Sequence, residues 1–168
     1  YVGGYFALPR LDQNSLISIL RYAKEKGLTT VLDVVLSKEK KHASFDKIKD
    51  ALSYVDIFMP NDDEAKALTN EPDPARQAEA FLEQGVKTVI ITLGSKGAFL
   101  KNKEEVLSVP AFKMEVVDPS GAGDAFDAGF ILGMLKGWSS FKALEFASTI
   151  GGSACRRLGC TQGVFTLS

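Results

Sequence analysis

Cysteine, histidine and tryptophan are scarce in this chain of 168 residues, at two, one and one. Cys155 and Cys160 are too few for a disulfide framework and read as reduced, structural residues. The single histidine, His42, sits beside the charged run Lys38-Glu39-Lys40-Lys41, which reads as a solvated loop, so no Ser–His or Cys–His mechanism is available. Neither sign of charge dominates. Twenty Lys and Arg oppose 21 Asp and Glu for a net charge of −1, so no basic field points to nucleic acid or an anionic membrane surface. No apolar run approaches the roughly 18 residues of a membrane span. The opening Tyr1-Val2-Gly3-Gly4-Tyr5-Phe6 lacks the charged n-region and cleavage site of a signal peptide. There is no repeat, linker, low-complexity segment or Walker A sequence. With 45% hydrophobic and 24% charged residues, the composition is that of an ordinary globular protein, and the length suits one domain. A cytoplasmic setting is expected.

What is present is an alternation of β and α signals. Residues 1–6 read as a strand. Residues 13–26 carry Leu16, Ile19, Leu20 and Ala23 at helical period, ended by Gly27. Residues 29–36 form a β-branched, apolar strand. A short helix over 44–54 carries Phe45, Ile48, Ala51 and Leu52, and a short strand follows over 56–60. Asn61 suits the N-cap of the next helix. A helix over 74–84 ends at Gly85, a strand covers 86–93, and 97–101 with 105–109 suggest a hairpin or edge strands. Helices over about 122–136 and 140–157 close the chain, with Trp138 at their junction read as core. This pattern predicts an α/β fold with a parallel sheet covered by helices on both faces. Ligands of open α/β sheets bind beyond the carboxyl ends of strands. Asn61 to Glu64, Gly94 to Gly97 and Asp118 to Asp124 each follow a predicted strand, so all three are expected to face one crevice.

Residues 116–130 carry the chemistry. Val116 and Val117 end an extended run, Asp118-Pro119-Ser120 makes a turn, and Gly121-Ala122-Gly123 opens an apolar helix with Asp124 in its first turn. Small residues at a helix start uncover several backbone N–H groups pointing one way. With the positive end of the helix dipole they suit a phosphate. A carboxylate held there can accept a proton from an attacking hydroxyl. An anion cradle beside a base is what phosphoryl transfer to an alcohol requires. A plainer reading stands beside this one: the dipole alone favours Asp in a first turn, and the glycines permit tight packing. A Rossmann reading fits worse. Phe126 occupies the third glycine position, and Glu145 lies inside a helical pattern rather than at a strand end.

The stretch Asp118-Pro119-Ser120-Gly121-Ala122-Gly123-Asp124-Ala125-Phe126 resembles the C-terminal signature of the ribokinase-like (PfkB) carbohydrate kinases. Asn61-Asp62-Asp63-Glu64 is similar to the family's Asn-x-x-Glu element, and Thr92-Leu93-Gly94-Ser95-Lys96-Gly97 to its Thr-x-Gly-x-x-Gly nucleotide loop. The resemblance covers essentially the whole chain and implies a three-layer α/β fold, mainly parallel, flanked by helices. It implies ATP-dependent transfer of the γ-phosphoryl group to a hydroxyl of a sugar or related molecule. By this resemblance Asp124 is the general base, and Gly121, Ala122 and Gly123 supply N–H donors to the transferred group. Glu64, with Asn61, places Mg²⁺ through water. Thr92, Gly94, Ser95 and Gly97 line the triphosphate and adenosine path, and Ser148 lies near the adenine, where several relatives use Asn. Asp118 and Ser120 sit beside a monovalent cation such as K⁺, with carbonyls near Ala154, Arg157 and Gly159 completing the site. The chain departs from the family at Pro119 and Ser120, which replace threonines, and at Asp127, which replaces a frequent Asn near the base.

A nucleoside acceptor, or a non-catalytic nucleotide-binding role, are the alternatives. The resemblance places Tyr1 in the middle of a family member. Residues 1–168 are thus expected to be the C-terminal, nucleotide-binding part of the kinase domain, without the sugar-binding elements and β-sheet lid through which relatives dimerise. A homodimer and catalysis are expected of the full-length protein rather than of this piece, and the acceptor is not legible in it.

Overall fold

The structure, a computed structural model, describes residues 1–36 and 44–165. His42 and the charged run 38–41 lie outside the described residues. The described residues form six α-helices and five strands: α1 (Gln13–Glu25), β1 (Val31–Leu32), α2 (Lys49–Leu52), β2 (Ile57–Phe58), α3 (Asp62–Thr69), α4 (Pro74–Leu82), β3 (Thr88–Thr92), β4 (Ala98–Asn102), β5 (Val106–Val109), α5 (Ala122–Leu135) and α6 (Ser140–Ala154). The strands form one sheet in the order β1-β2-β3-β4-β5. The first three are parallel, with Val31 opposite Ile57, Leu32 opposite Phe58, and Phe58 opposite Val89. Five residues join β3 to β4 and three join β4 to β5, too few for a crossover, so this half of the sheet is hairpin-connected. The α/β class expected from the alternation is present, with a sheet that is mixed rather than wholly parallel.

Two compact units make up the chain. One holds residues 1–91 and 99–106; the other holds 92–98 and the chain from Leu107 onward. In the first unit, Leu16, Leu20, Leu32, Ile48, Leu52, Ile90 and Ile91 are buried, and Phe58 meets Phe81 edge-on at 4.8 Å between ring centres. The apolar stripe of α1 runs through Leu16 and Leu20 at i,i+4 spacing, whereas Ile19 is turned out and exposed. Asp56, buried at the start of β2, accepts from the Lys24 ammonium at 2.7 Å, Lys87 at 2.8 Å and the Thr30 N–H at 2.9 Å. Burial alone would raise this carboxyl, but the two ammoniums and the Thr30 bonds hold it well below the usual range. It ties α1, β1, β2 and the start of β3 together.

Three sequence expectations are corrected. Residues 1–6 are not a strand: only Val2 bridges to Leu32, Gly4 turns into the left-handed region at φ 67°, and Tyr5–Ala7 coils into a 3₁₀ turn. With Gly3-Gly4 following Val2 there is neither side-chain packing nor an extended backbone to carry the ladder on. The expected strand over 29–36 is regular only at Val31–Leu32. Val116 and Val117 end no strand either. The sheet stops at Val109, both valines are exposed, and the Val117 N–H donates to Cys155 O at 2.8 Å rather than to a neighbouring strand.

The second unit is organised by α5 lying along α6. A Cβ on Gly129 would come within 3.0 Å of Ala147 Cα, and one on Gly133 within 2.7 Å of Ala143 Cβ. Small residues four apart on one helix face small residues four apart on the other, so the backbones approach closely and Phe126, Phe130, Leu144 and Ile150 fill the remaining core.

Candidate functional site

The start of α5 is held by its own loop and by the end of α6. Gly121 is the N-cap at φ 77°, a left-handed conformation that disfavours any side chain, and a Cβ there would lie 2.7 Å from Cys160 Cα. Asp118 fastens the loop. Its Oδ1 accepts the Ser120 N–H at 3.0 Å and its Oδ2 the Gly159 N–H at 3.0 Å, while its own N–H donates to Cys155 O at 3.1 Å. The Gly159 and Ser120 amides lower the Asp118 pKa, as expected for a carboxylate receiving backbone N–H bonds. Both Asp118 oxygens thus already serve the backbone. No side chain caps α5. The Ala122 N–H donates to Pro119 O at 3.2 Å, so of the three residues predicted as anion donors Ala122 is already engaged. Gly123 and Asp124 are exposed in the first turn.

Beside this helix start lies a cavity of about 150 Å³ within the second unit. Ala122, Gly123 and Phe126 of α5 form one wall, and Ser148, Gly151, Gly152 and Cys155 at the end of α6 another. The β3–β4 loop contributes Thr92, Gly94 and Gly97, and the segment after β5 contributes Ala111 and Phe112. Loop 93–97 is shaped by Gly97 at φ 101°, whose missing side chain lets the backbone lie against Val109 O, with Pro110 C at 2.7 Å from a notional Cβ. The Leu93 N–H closes the loop on Gly97 O at 2.8 Å. The wall is mostly glycine, alanine and phenylalanine. Ser148, the buried polar exception, donates its hydroxyl to Pro110 O at 2.9 Å. The volume is below the about 300–1,000 Å³ of a whole small-molecule pocket, so it suits one part of a larger ligand.

The predicted residues are thereby sorted. Thr92, Gly94, Gly97, Ala122, Gly123 and Ser148 share the cavity, whereas Ser95 is exposed and does not line it. Sequence reasoning missed Ala111, Phe112, Gly151, Gly152 and Cys155. The adjacent glycines inside a helical pattern were the available signal. A Cβ on Gly151 would lie 2.9 Å from Ala122 O, and one on Gly152 3.1 Å from Phe112 Cβ, so both keep the walls close.

Asn61 and Glu64 belong to the first unit. They form a capping box at the start of α3: Asn61 Oδ1 accepts the Glu64 N–H at 2.9 Å, and Glu64 Oε2 accepts the Asn61 N–H at 2.9 Å. Burial raises the Glu64 pKa against the lowering effect of the Asn61 and Leu36 amides. No group of three or more His, Cys, Asp or Glu suited to a metal occurs among the described residues. Cys155, half-buried, and Cys160, exposed, are free cysteines. Trp138 is half-buried, edge-on to Phe146 with the Lys142 ammonium 4.3 Å from its ring centre. No helix among the described residues is long and apolar enough to cross a membrane.

Known proteins resemble this chain over most of its length. An ATP-dependent 6-phosphofructokinase of Thermoanaerobacterium thermosaccharolyticum is 38% identical over 121 residues, 72% of this chain and 38% of that protein. The ribokinase of Arabidopsis thaliana, solved with ribose and ATP, superposes with a TM-score of 0.80 at 27% identity, covering 90% of this chain and 49% of that one. The aminoimidazole riboside kinase of Salmonella enterica, solved with its riboside and an ATP analogue, gives a TM-score of 0.77 at 25% identity, covering 89% and 53%. The chain spans about half the length of these relatives or less. The model of the pfkB family of carbohydrate kinases matches residues 1–166. With its α/β sheet, its glycine-opened helix and its loop over the cavity, the chain belongs to the pfkB family of carbohydrate kinases.

Proposed function

We propose that this chain carries the nucleotide-binding and phosphoryl-transfer part of a kinase that moves the γ-phosphoryl group of ATP to a hydroxyl of a sugar. The observation that supports this most is the α5 start: a glycine N-cap, no capping side chain, and an exposed carboxylate in the first turn beside a cavity of about 150 Å³. In this reading the cavity takes the adenine, between Phe112 and the end of α6. Thr92, Gly94 and the exposed Ser95 flank the path of the triphosphate, with Gly97 shaping the loop.

Asp124 accepts the proton of the acceptor hydroxyl as its oxygen bonds to the γ-phosphorus and the bond to the β-phosphate oxygen breaks, so ADP leaves and the acceptor becomes a phosphate ester. The Gly121 and Gly123 amides and the dipole of α5 stabilise the charge on the transferred group. Ala122 holds the loop through Pro119 rather than donating to the phosphoryl group. Mg²⁺, when bound, would supply neutralising charge to the phosphates, with Asn61 and Glu64 holding it through water. Glu64 fits a water-mediated role, since its carboxylate gives two of its roughly four acceptor sites to the Asn61 and Leu36 amides and has others left. Asp118 and Ser120 are proposed to border a K⁺ held by nearby backbone carbonyls.

A riboside acceptor is the second reading, supported by the similarity to aminoimidazole riboside kinase. The test is phosphate transfer from Mg-ATP to a panel of sugars and nucleosides, in a full-length protein and its Asp124→Ala variant. Transfer is expected to fall by about 10²–10⁴ in the variant with ATP binding retained. Activity that survives Asp124→Ala would falsify the mechanism.

A further inference from the structure

Phe112 forms part of the cavity wall from an irregular segment and is itself 44% exposed. No regular element carries it: the sheet ends at Val109 and α5 begins at Ala122. Its support comes from the segment after α6. Phe165 meets Phe112 edge-on, 6.2 Å between ring centres at 87°. The Arg156 guanidinium covers the Phe165 ring at 4.5 Å from its centre. The Phe165 N–H donates at 3.0 Å to Ser153 Oγ, and that hydroxyl, fully buried, donates to Ile150 O at 2.7 Å. Gly163 lets the segment lie against α6, where a Cβ would come 2.6 Å from Ala154 O. Phe165 itself does not line the cavity.

We infer that Phe165 is a positioning residue for the nucleotide base: stacked by Arg156 and tied to Ser153, it fixes the ring of Phe112 as a preformed face of the cavity. The inference rests on the nucleotide reading of that cavity. Holding an aromatic face in place before the ligand arrives spares the ordering cost of binding. An edge-to-face aromatic pair is worth enough to change affinity several-fold without touching the ligand.

The experiment measures the affinity of a fluorescent N-methylanthraniloyl ATP for the full chain, for Phe165→Ala, Phe165→Tyr, Phe112→Ala and the Phe165→Ala/Phe112→Ala double variant, with circular dichroism confirming each fold. Phe165→Ala is expected to weaken binding about three- to tenfold. Phe165→Tyr should restore it, because the partly exposed ring edge leaves room for a hydroxyl. In the Phe112→Ala background the Phe165→Ala change should have no further effect, since its only route to the base is gone. Where Phe165→Ala fails to fold, Arg156→Gln, which removes the cation over the ring, gives the same reading at smaller size. Unchanged affinity in a folded Phe165→Ala variant, or additive effects with Phe112→Ala, overturns the positioning role while leaving the nucleotide reading in place. A parent chain that binds no nucleotide overturns the nucleotide reading and this role with it.

Discussion

At the start of α3, Asn61 and Glu64 close the helix on themselves with two reciprocal bonds of 2.9 Å; at the start of α5, a left-handed glycine stands where the cap would be and no side chain reaches back. The two helices face the same physical problem, because every α-helix begins with backbone N–H groups that have no partner within the helix. α3 solves it internally and so gains stability. α5 leaves the solution open, and its loop is held instead by Asp118 and by contact with Cys160. Among the described helices of eight residues or more, only α5 begins without a capping side chain, which makes its start the place to look for ligand chemistry.

The comparison is broken most strongly by giving α5 a side chain at its cap. Gly121→Ala must pay the left-handed conformation and displace Cys160, so a loss of about 2 kcal/mol or more is expected in urea unfolding, with nucleotide affinity falling too. A neutral Gly121→Ala would mean that the close approach to Cys160 is not needed. Opening α3 should cost less. Asn61→Ala removes one arm of the box for about 1 kcal/mol, again read by urea unfolding, and an effect on nucleotide affinity larger than that on stability would assign Asn61 to ligand binding as well.

The smallest expected effect separates the two roles of Glu64. Its pKa is raised by burial, so its contribution to stability is full below the ordinary carboxyl pKa and is lost as pH rises through the raised folded value. Glu64→Gln keeps the box, because glutamine can make the same reciprocal bond, and it removes the ionisation. Thermal unfolding from pH 4 to 8 should therefore fall less with rising pH in Glu64→Gln than in the parent. If the variant also needs more Mg²⁺ for nucleotide binding, the water-mediated role stands; if the Mg²⁺ requirement is unchanged, Glu64 is a capping residue alone.

Much of the fold was legible because its signals are local. Gly27 after α1, Asn61 before α3 and Gly85 before β3 are punctuation that acts within a turn of the chain. The helices over 122–136 and 140–157 needed only the density of apolar residues. The failures came where a residue's state depends on a distant partner. Val116 and Val117 have strand-forming side chains, yet both are exposed and lie beyond Val109, where the last described strand ends. Tyr1 to Phe6 looks like a strand until Gly4 takes a left-handed turn. In the site, the glycine motif and Asp124 were visible in sequence, whereas Phe112 and Cys155 came to the cavity only through the packing of the segment after β5 against the end of α6.

By itself, then, the sequence determined the helices and most of the strands, the family motifs, and the glycine start of α5, since each depends on neighbours within a few positions along the chain. Tertiary structure alone decided that Asp118 clamps Gly159, that Ser148 gives its hydroxyl to Pro110, and that Phe165 backs Phe112. Hydrogen bonds and ring contacts between residues tens of positions apart have no periodicity to reveal them; they exist only once the backbone has brought the groups within about 3 Å for a bond, or several ångströms for a pair of rings.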